Sequence, residues 1–198
     1  MLSLFRGCII FALAAVAGVS VVNGAAAQQS QIDRGKYLVT IAGCNDCHTP
    51  GYFFGKPEMT RFLGGSEVGF EIPGLGVFHG RNLTPDKETG LGDWTIEQIV
   101  TALQTGQRPD GRELAPIMPW RAFANFTKDD ATAIAMFLKS IPPVKNKVPG
   151  PFGPSEQSTS FVMKIVPGDG MKSSPSAANP NEAAANVRLA ACLVRARM

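Results

Sequence analysis

An all-α fold is predicted by three features of this chain. Two segments carry a clear helical period, a shorter helical segment precedes them, and the connections are long and rich in glycine and proline. The first helix is expected from Ile32 to Gly43, where Ile32, Leu38, Val39, Ile41 and Ala42 suit one apolar face. Gly35 inside it costs on the order of 1 kcal/mol relative to alanine, which makes sense if another helix crosses closely there. From Thr49 to Gly92 no period is sustained, and a short hairpin around Phe70 to Phe78 is the one strand element expected. Thr95 then opens a second helix, with Gln98 completing a capping box. Ile96, Ile99, Val100 and Leu103 recur at i, i+3, i+4 and i+7, and Gly106 stops the run. A loop follows from Arg108 to Arg121. The last helix starts at Thr127, with Asp129 and Asp130 at the positive end of its dipole. Its stripe is Ile134, Phe137, Leu138 and Ile141, and Pro142-Pro143 ends it.

The 198 residues divide into three parts. Residues 1–27 read as a signal peptide: Arg6, an apolar run from Cys8 to Val22, and Ala25-Ala26-Ala27 as a cleavage site before Gln28. The rival is a retained membrane anchor, although the run is short for a span of about 20 residues. Residues 28–148 form the expected domain. Residues 149–198 are dominated by Gly, Pro, Ser, Asn and Ala and read as a flexible tail, with a weak amphipathic pattern in residues 182–197. From Gln28 to Gly150, 13 basic residues balance 13 acidic ones. That balance lacks the basic footprint of nucleic-acid binding.

Export places the remaining cysteines, Cys44, Cys47 and Cys192, in a compartment where cysteine pairs usually become disulfides. Cys44-Asn45-Asp46-Cys47-His48 asks for another explanation, because C-x-x-C-H is the pattern of covalent haem attachment. Two thiols at this spacing reach the vinyl groups of one porphyrin and become thioethers, and the histidine that follows supplies an imidazole nitrogen to the iron. A thioredoxin-type disulfide would need a β-α-β setting. A zinc site would need four ligands, for which only His79 and Cys192 remain. A structural disulfide beside an unrelated histidine is the third alternative. One copy of the motif implies one covalent haem c with its iron.

The sixth ligand must come from elsewhere, and His/Met ligation raises the reduction potential. Met59 lies only eleven residues past His48, Met136 sits beside Phe137 as core packing, and Met163, Met171 and Met198 fall in the tail. Met118, in Pro116-Ile117-Met118-Pro119-Trp120, stands in a proline-stiffened loop and is favoured. His79 is its chief competitor and is otherwise read as a loop histidine near the surface or a propionate. Asn82-Leu83-Thr84 matches a glycosylation acceptor, while Pro85 and Asp86 point to a turn. Trp94 reads as a core aromatic, and Trp120 and Arg121 as neighbours of the propionates.

Taken together, these residues resemble a class I c-type cytochrome. Within that class they are similar to the haem modules of cytochrome subunits serving bacterial periplasmic alcohol, aldehyde and gluconate dehydrogenases. The matching residues are Gly35-Lys36-Tyr37-Leu38, Cys44 to Pro50, Asn82-Leu83-Thr84-Pro85-Asp86 and Thr89-Gly90-Leu91-Gly92-Asp93-Trp94. Asp110-Gly111-Arg112, Met118-Pro119-Trp120 and Ile141-Pro142-Pro143-Val144 complete the set. The resemblance covers about 115 residues. It implies a small cytochrome c fold in residues 28–148, with three or more helices around one haem. It also implies that the first and last helices cross near Gly35 and Tyr37, against Phe137 and Leu138, and that Met118 is the distal ligand. The expected role is periplasmic one-electron transfer rather than catalysis, from a dehydrogenase to an oxidase or another cytochrome in the respiratory chain. Membrane association through a partner or an uncleaved N-terminal segment stays open. The alternative is a haem enzyme or gas sensor with a labile sixth ligand. The resembling subunits commonly carry three such modules, and this chain has one motif.

Overall fold

The structure, a computed structural model, describes residues 24–166. The expectations for most of the signal segment, Cys8, Cys192, Met171, Met198 and residues 182–197 lie outside the described residues.

The helices are α1 (residues 24–41), α2 (Cys44–His48), α3 (Ile96–Thr105), α4 (Trp120–Phe123) and α5 (Lys128–Ser140). Helix α1 starts earlier than its apolar pattern, and residues 24–31 are all exposed. Burial begins where the pattern predicts it, at Gly35, Leu38 and Val39. A side chain at Gly35 would overlap the carbonyl of Ala133 and lie 2.8 Å from Cβ of Phe137. The glycine is therefore the point at which α1 and α5 cross, as expected. Tyr37 turns away from that crossing: it is exposed, with the Arg34 guanidinium 5.6 Å from its ring centre. Arg34 also pairs with Asp130 of α5 at 2.8 Å.

The capping box of α3 forms as predicted, with Thr95 Oγ accepting from Gln98 N and Gln98 Oε1 accepting from Thr95 N. Gly106 closes the helix in the left-handed region at φ 76°. Ile99 and Leu103 pack with Ile134, Phe137 and Leu138 of α5 in the main core. Each such side chain contributes roughly 1.5–3 kcal/mol by burial. The Lys139 ammonium donates to the carbonyls of Leu91, Gly92 and Trp94 at 3.1, 2.7 and 3.0 Å, which fixes the chain entering α3.

The fold is not plainly all-α. Strands β1 (Val68–Ile72) and β2 (Gly76–His79) form the expected hairpin, with Phe70 opposite Phe78. A third strand, β3 (Phe161–Met163), pairs with β1 in parallel, giving a mixed sheet of order β2-β1-β3. Three residues are too few to register a period of two, and their partner lies about ninety residues away in the sequence. Nothing local announces such a pairing.

The chain from Val148 to Met163 acts as a strap along the hairpin. Arg81 donates from Nη1 to the carbonyls of Val148 and Pro149, at 2.8 and 3.1 Å, and from Nη2 to that of Gly150. Val77 and Phe152 exchange two backbone hydrogen bonds, and His79 Nε2 lies 2.5 Å from Ser160 Oγ. His79 is thus a buried residue of β2 rather than a surface loop histidine. Asn82 is buried as well. Its amide donates to Thr89 Oγ and the Val144 carbonyl, and its oxygen accepts from Thr84 N and Oγ. The turn reading holds there, since this side chain is fully committed to the interior.

Candidate functional site

Helix α2 is a single turn entered through Gly43 at φ 66° and left through Thr49 in extended conformation. Cys44, Cys47 and His48 therefore stand at i, i+3 and i+4, and side chains at this spacing are neighbours on one face. Both cysteines are free thiols and half-buried. Burial raises the Cys44 thiol to about 11, aided by the charge of Asp46, and raises Cys47 in the same way. A redox-active cysteine pair works through a lowered thiol pKa, and burial here acts in the opposite direction. Among the described residues no group of three His, Cys, Asp or Glu converges on a point that could hold a bare metal ion.

His48 is buried, and its Nδ1 lies 2.6 Å from the carbonyl of Arg81. A carbonyl can only accept, so the proton sits on Nδ1 and the lone pair sits on Nε2. Burial holds the imidazole pKa below its ordinary value, against the opposing pull of that hydrogen bond. The motif's backbone is held equally firmly. Gly65 N donates to the His48 carbonyl at 2.7 Å, and Leu63 N donates to the buried Thr49 hydroxyl at 2.9 Å. Gly80 passes so close that a side chain there would overlap the Cys47 carbonyl.

Met118 lies in a tight turn between Ala115 and Trp120, with Met118 N donating to Ala115 O and Trp120 N donating to Met118 O. It is half-buried and packs against the same core that Cys44 touches. Met59 is exposed in the 3-10 turn Met59–Arg61, Met136 is half-buried in α5, and Met163 is exposed on β3. The indole of Trp120 lies against Gly106, and its N–H is buried with no acceptor. Arg121 stacks on that indole at 4.4 Å from the ring centre, and Trp94 packs against the core, as expected. Nearby, Asp110 bridges Arg108 and Arg112 at 3.2 and 2.7 Å, which holds its carboxyl far below the usual range. An open cavity of about 310 Å³ beside Glu71, Glu156 and Lys164 contains none of the candidate residues.

The residue that sequence reasoning missed is Arg81. Its position directly before Asn82-Leu83-Thr84 was the available signal, because a buried turn fixes the carbonyl that precedes it.

No family model matches the chain. Individual proteins do. It is 37% identical over 145 residues to the cytochrome c subunit of a quinone alcohol dehydrogenase from Gluconobacter oxydans, covering 69% of this chain and 28% of that one. It is 36% identical over 135 residues to the fructose dehydrogenase cytochrome subunit of Gluconobacter japonicus, covering 65% and 26%. The gluconate 2-dehydrogenase cytochrome c subunit of Pantoea cypripedii is 32% identical over 119 residues, covering 60% and 25%.

The chain is a relative of c-type cytochrome subunits.

It spans about a quarter of the length of these relatives. The donor set of this cytochrome-like domain fits haem c. Two unpaired thiols share one turn, an imidazole presents its Nε2 lone pair, and a buried indole donor is left without an acceptor.

Proposed function

We propose that this chain is an exported electron carrier holding one covalently bound haem c. The observation that carries the reading is the α2 turn, in which two free thiols precede an imidazole whose tautomer is fixed by the Arg81 carbonyl. With haem c bound, Cys44 and Cys47 would supply the thioether links, and His48 Nε2 and the Met118 thioether would hold the iron. Trp120 N–H is a donor suited to a propionate carboxylate. The bound iron would pass one electron at a time between its ferrous and ferric states. With His48 and Met118 both engaged, the iron would offer no position to a substrate, which suits a carrier rather than an enzyme.

The donor we propose is a periplasmic dehydrogenase, by analogy with the printed roles of the relatives, and the acceptor is an oxidase or a second cytochrome. Periplasmic location rests on the features of residues 1–27. No helix among the described residues is long and apolar enough to cross a membrane.

The test is an absorption spectrum and an intact mass of the matured, exported protein, alongside Met118→Ala. One haem should add to the polypeptide mass, and the thioether–iron charge-transfer band should vanish in the variant alone. A chain with no added mass, or a band that survives the substitution, would overturn the haem or the ligand assignment respectively. Carbon monoxide binding to the reduced protein at neutral pH would indicate a labile sixth ligand.

A further inference from the structure

We infer that Arg81 is a positioning residue through which the strap, residues 148–163, is coupled to the His48 ring and sets the reduction potential of the iron. The inference rests on the reading of His48 as the proximal ligand.

One residue carries both ends of the coupling. The Arg81 carbonyl receives the His48 Nδ1 proton, while its guanidinium grips the carbonyls of Val148, Pro149 and Gly150. Among the described residues no carboxylate shares that grip. A half-buried cation is satisfied by neutral carbonyls alone, and its pKa is held below the ordinary value by desolvation and then by the charges of Arg108 and Arg112. Several fixed donors on a planar fork suit three successive carbonyls, and a lysine ammonium does not reproduce that fork. Besides its pairing with β1, the strap is attached at Phe152 to Val77 and at Ser160 to His79. These attachments fall on the stretch Val77 to Arg81, and the carbonyl that holds the imidazole is at its end. On the far side Asn82 is anchored in the interior by four hydrogen bonds. The Arg81 carbonyl is therefore placed by the strap on one side and by the buried turn on the other.

The hydrogen bond from Nδ1–H makes an imidazole a stronger electron donor to its metal, and such outer partners tune the centre. A stronger donor favours the ferric state, so loosening this contact raises the potential. Arg81→Lys keeps the positive charge and removes the fork, which separates the geometric effect from the electrostatic one. Phe152→Ala removes the ring that packs edge-on against His79, 6.0 Å between ring centres, and so loosens the strap while leaving the Arg81 side chain unchanged.

The experiment measures two quantities on the matured full-length protein: the midpoint potential and the solvent exchange rate of the His48 ring N–H by NMR. Arg81→Lys should raise the potential and speed exchange by up to about tenfold, the factor that weakening a single hydrogen bond is worth. Phe152→Ala should act in the same direction more weakly, and the double variant should fall short of the sum because the two sites share one path. An unchanged potential and exchange rate in Arg81→Lys would overturn the proposal. So would a Phe152→Ala protein that trypsin cuts faster at Lys164, just past the end of the strap, while both readouts stay at wild-type values. If Arg81→Lys does not mature, Phe152→Ala decides alone. A wild-type protein without haem refutes the underlying reading instead, and its mass reveals that separately.

Discussion

The segment bearing His48 and the turn bearing Met118 are both short, yet the structure holds them in opposite ways. Around His48 the restraints are tertiary. Its ring bonds to Arg81, its carbonyl to Gly65, and Gly80 presses on the adjoining Cys47. Around Met118 they are local: two hydrogen bonds within the turn, with exposed Pro116, Ile117 and Pro119 beside it. One proposed ligand is clamped by distant parts of the chain, and the other is stiffened by proline at its own position. Damage to the first should therefore spread through the fold, while damage to the second should stay at the iron.

The largest effect is expected from Gly80→Val, which drives a branched side chain into the Cys47 carbonyl. A clash with backbone cannot be relieved by a rotamer change, so destabilisation should exceed about 3 kcal/mol. The check is a loss of haem-bearing protein on expression, compared with wild type by haem stain and thermal melting. Gly35→Ala comes next. Alanine gains roughly 1 kcal/mol of helix propensity, but the α1–α5 crossing has no room for it, and the net should be a loss of about 2 kcal/mol in denaturant titration. A stabilised variant would show that the crossing is looser than described.

Met118→Ala sharpens the contrast. With a half-buried side chain removed, the cost should be no more than about 2 kcal/mol, and the matured protein should keep its haem while its spectrum changes. Loss of haem attachment in this variant would erase the distinction between the two sides. The smallest effect concerns His79, whose pKa burial lowers, with Arg81 adding to the shift. Because the unfolded chain takes up the proton first, stability is full above an unfolded value of about 6.5 and declines as pH falls through the folded value. His79→Gln should flatten that part of the stability profile.

Helices α3 and α5 were legible because their signals are local, whereas the single turn α4 was read as loop. Thr95 and Gln98 lie three residues apart, the stripe of α5 recurs within two turns, and Gly106 marks its own helix end. The attachment turn was legible for the same reason, its chemistry lying within five consecutive residues. The sheet was only half legible. The hairpin is a short-range pairing, whereas β3 reaches β1 from a segment whose composition resembles a tail. Arg81 escaped notice, and His79 was placed in a surface loop rather than a buried strand, because their importance lies in what they meet, at Gly150 and Ser160, some seventy to eighty residues further along.

Lys139 carries a separate consequence. Its three ammonium donors are matched by three carbonyls of the loop entering α3, so this amine is engaged inside the molecule rather than offered to solvent. Acylating reagents should modify Lys139 after the exposed Lys145 and Lys147. The moment at which Lys139 becomes labelled would then report the opening of the loop from Leu91 to Trp94, giving a chemical clock for the first loosening of the helical core.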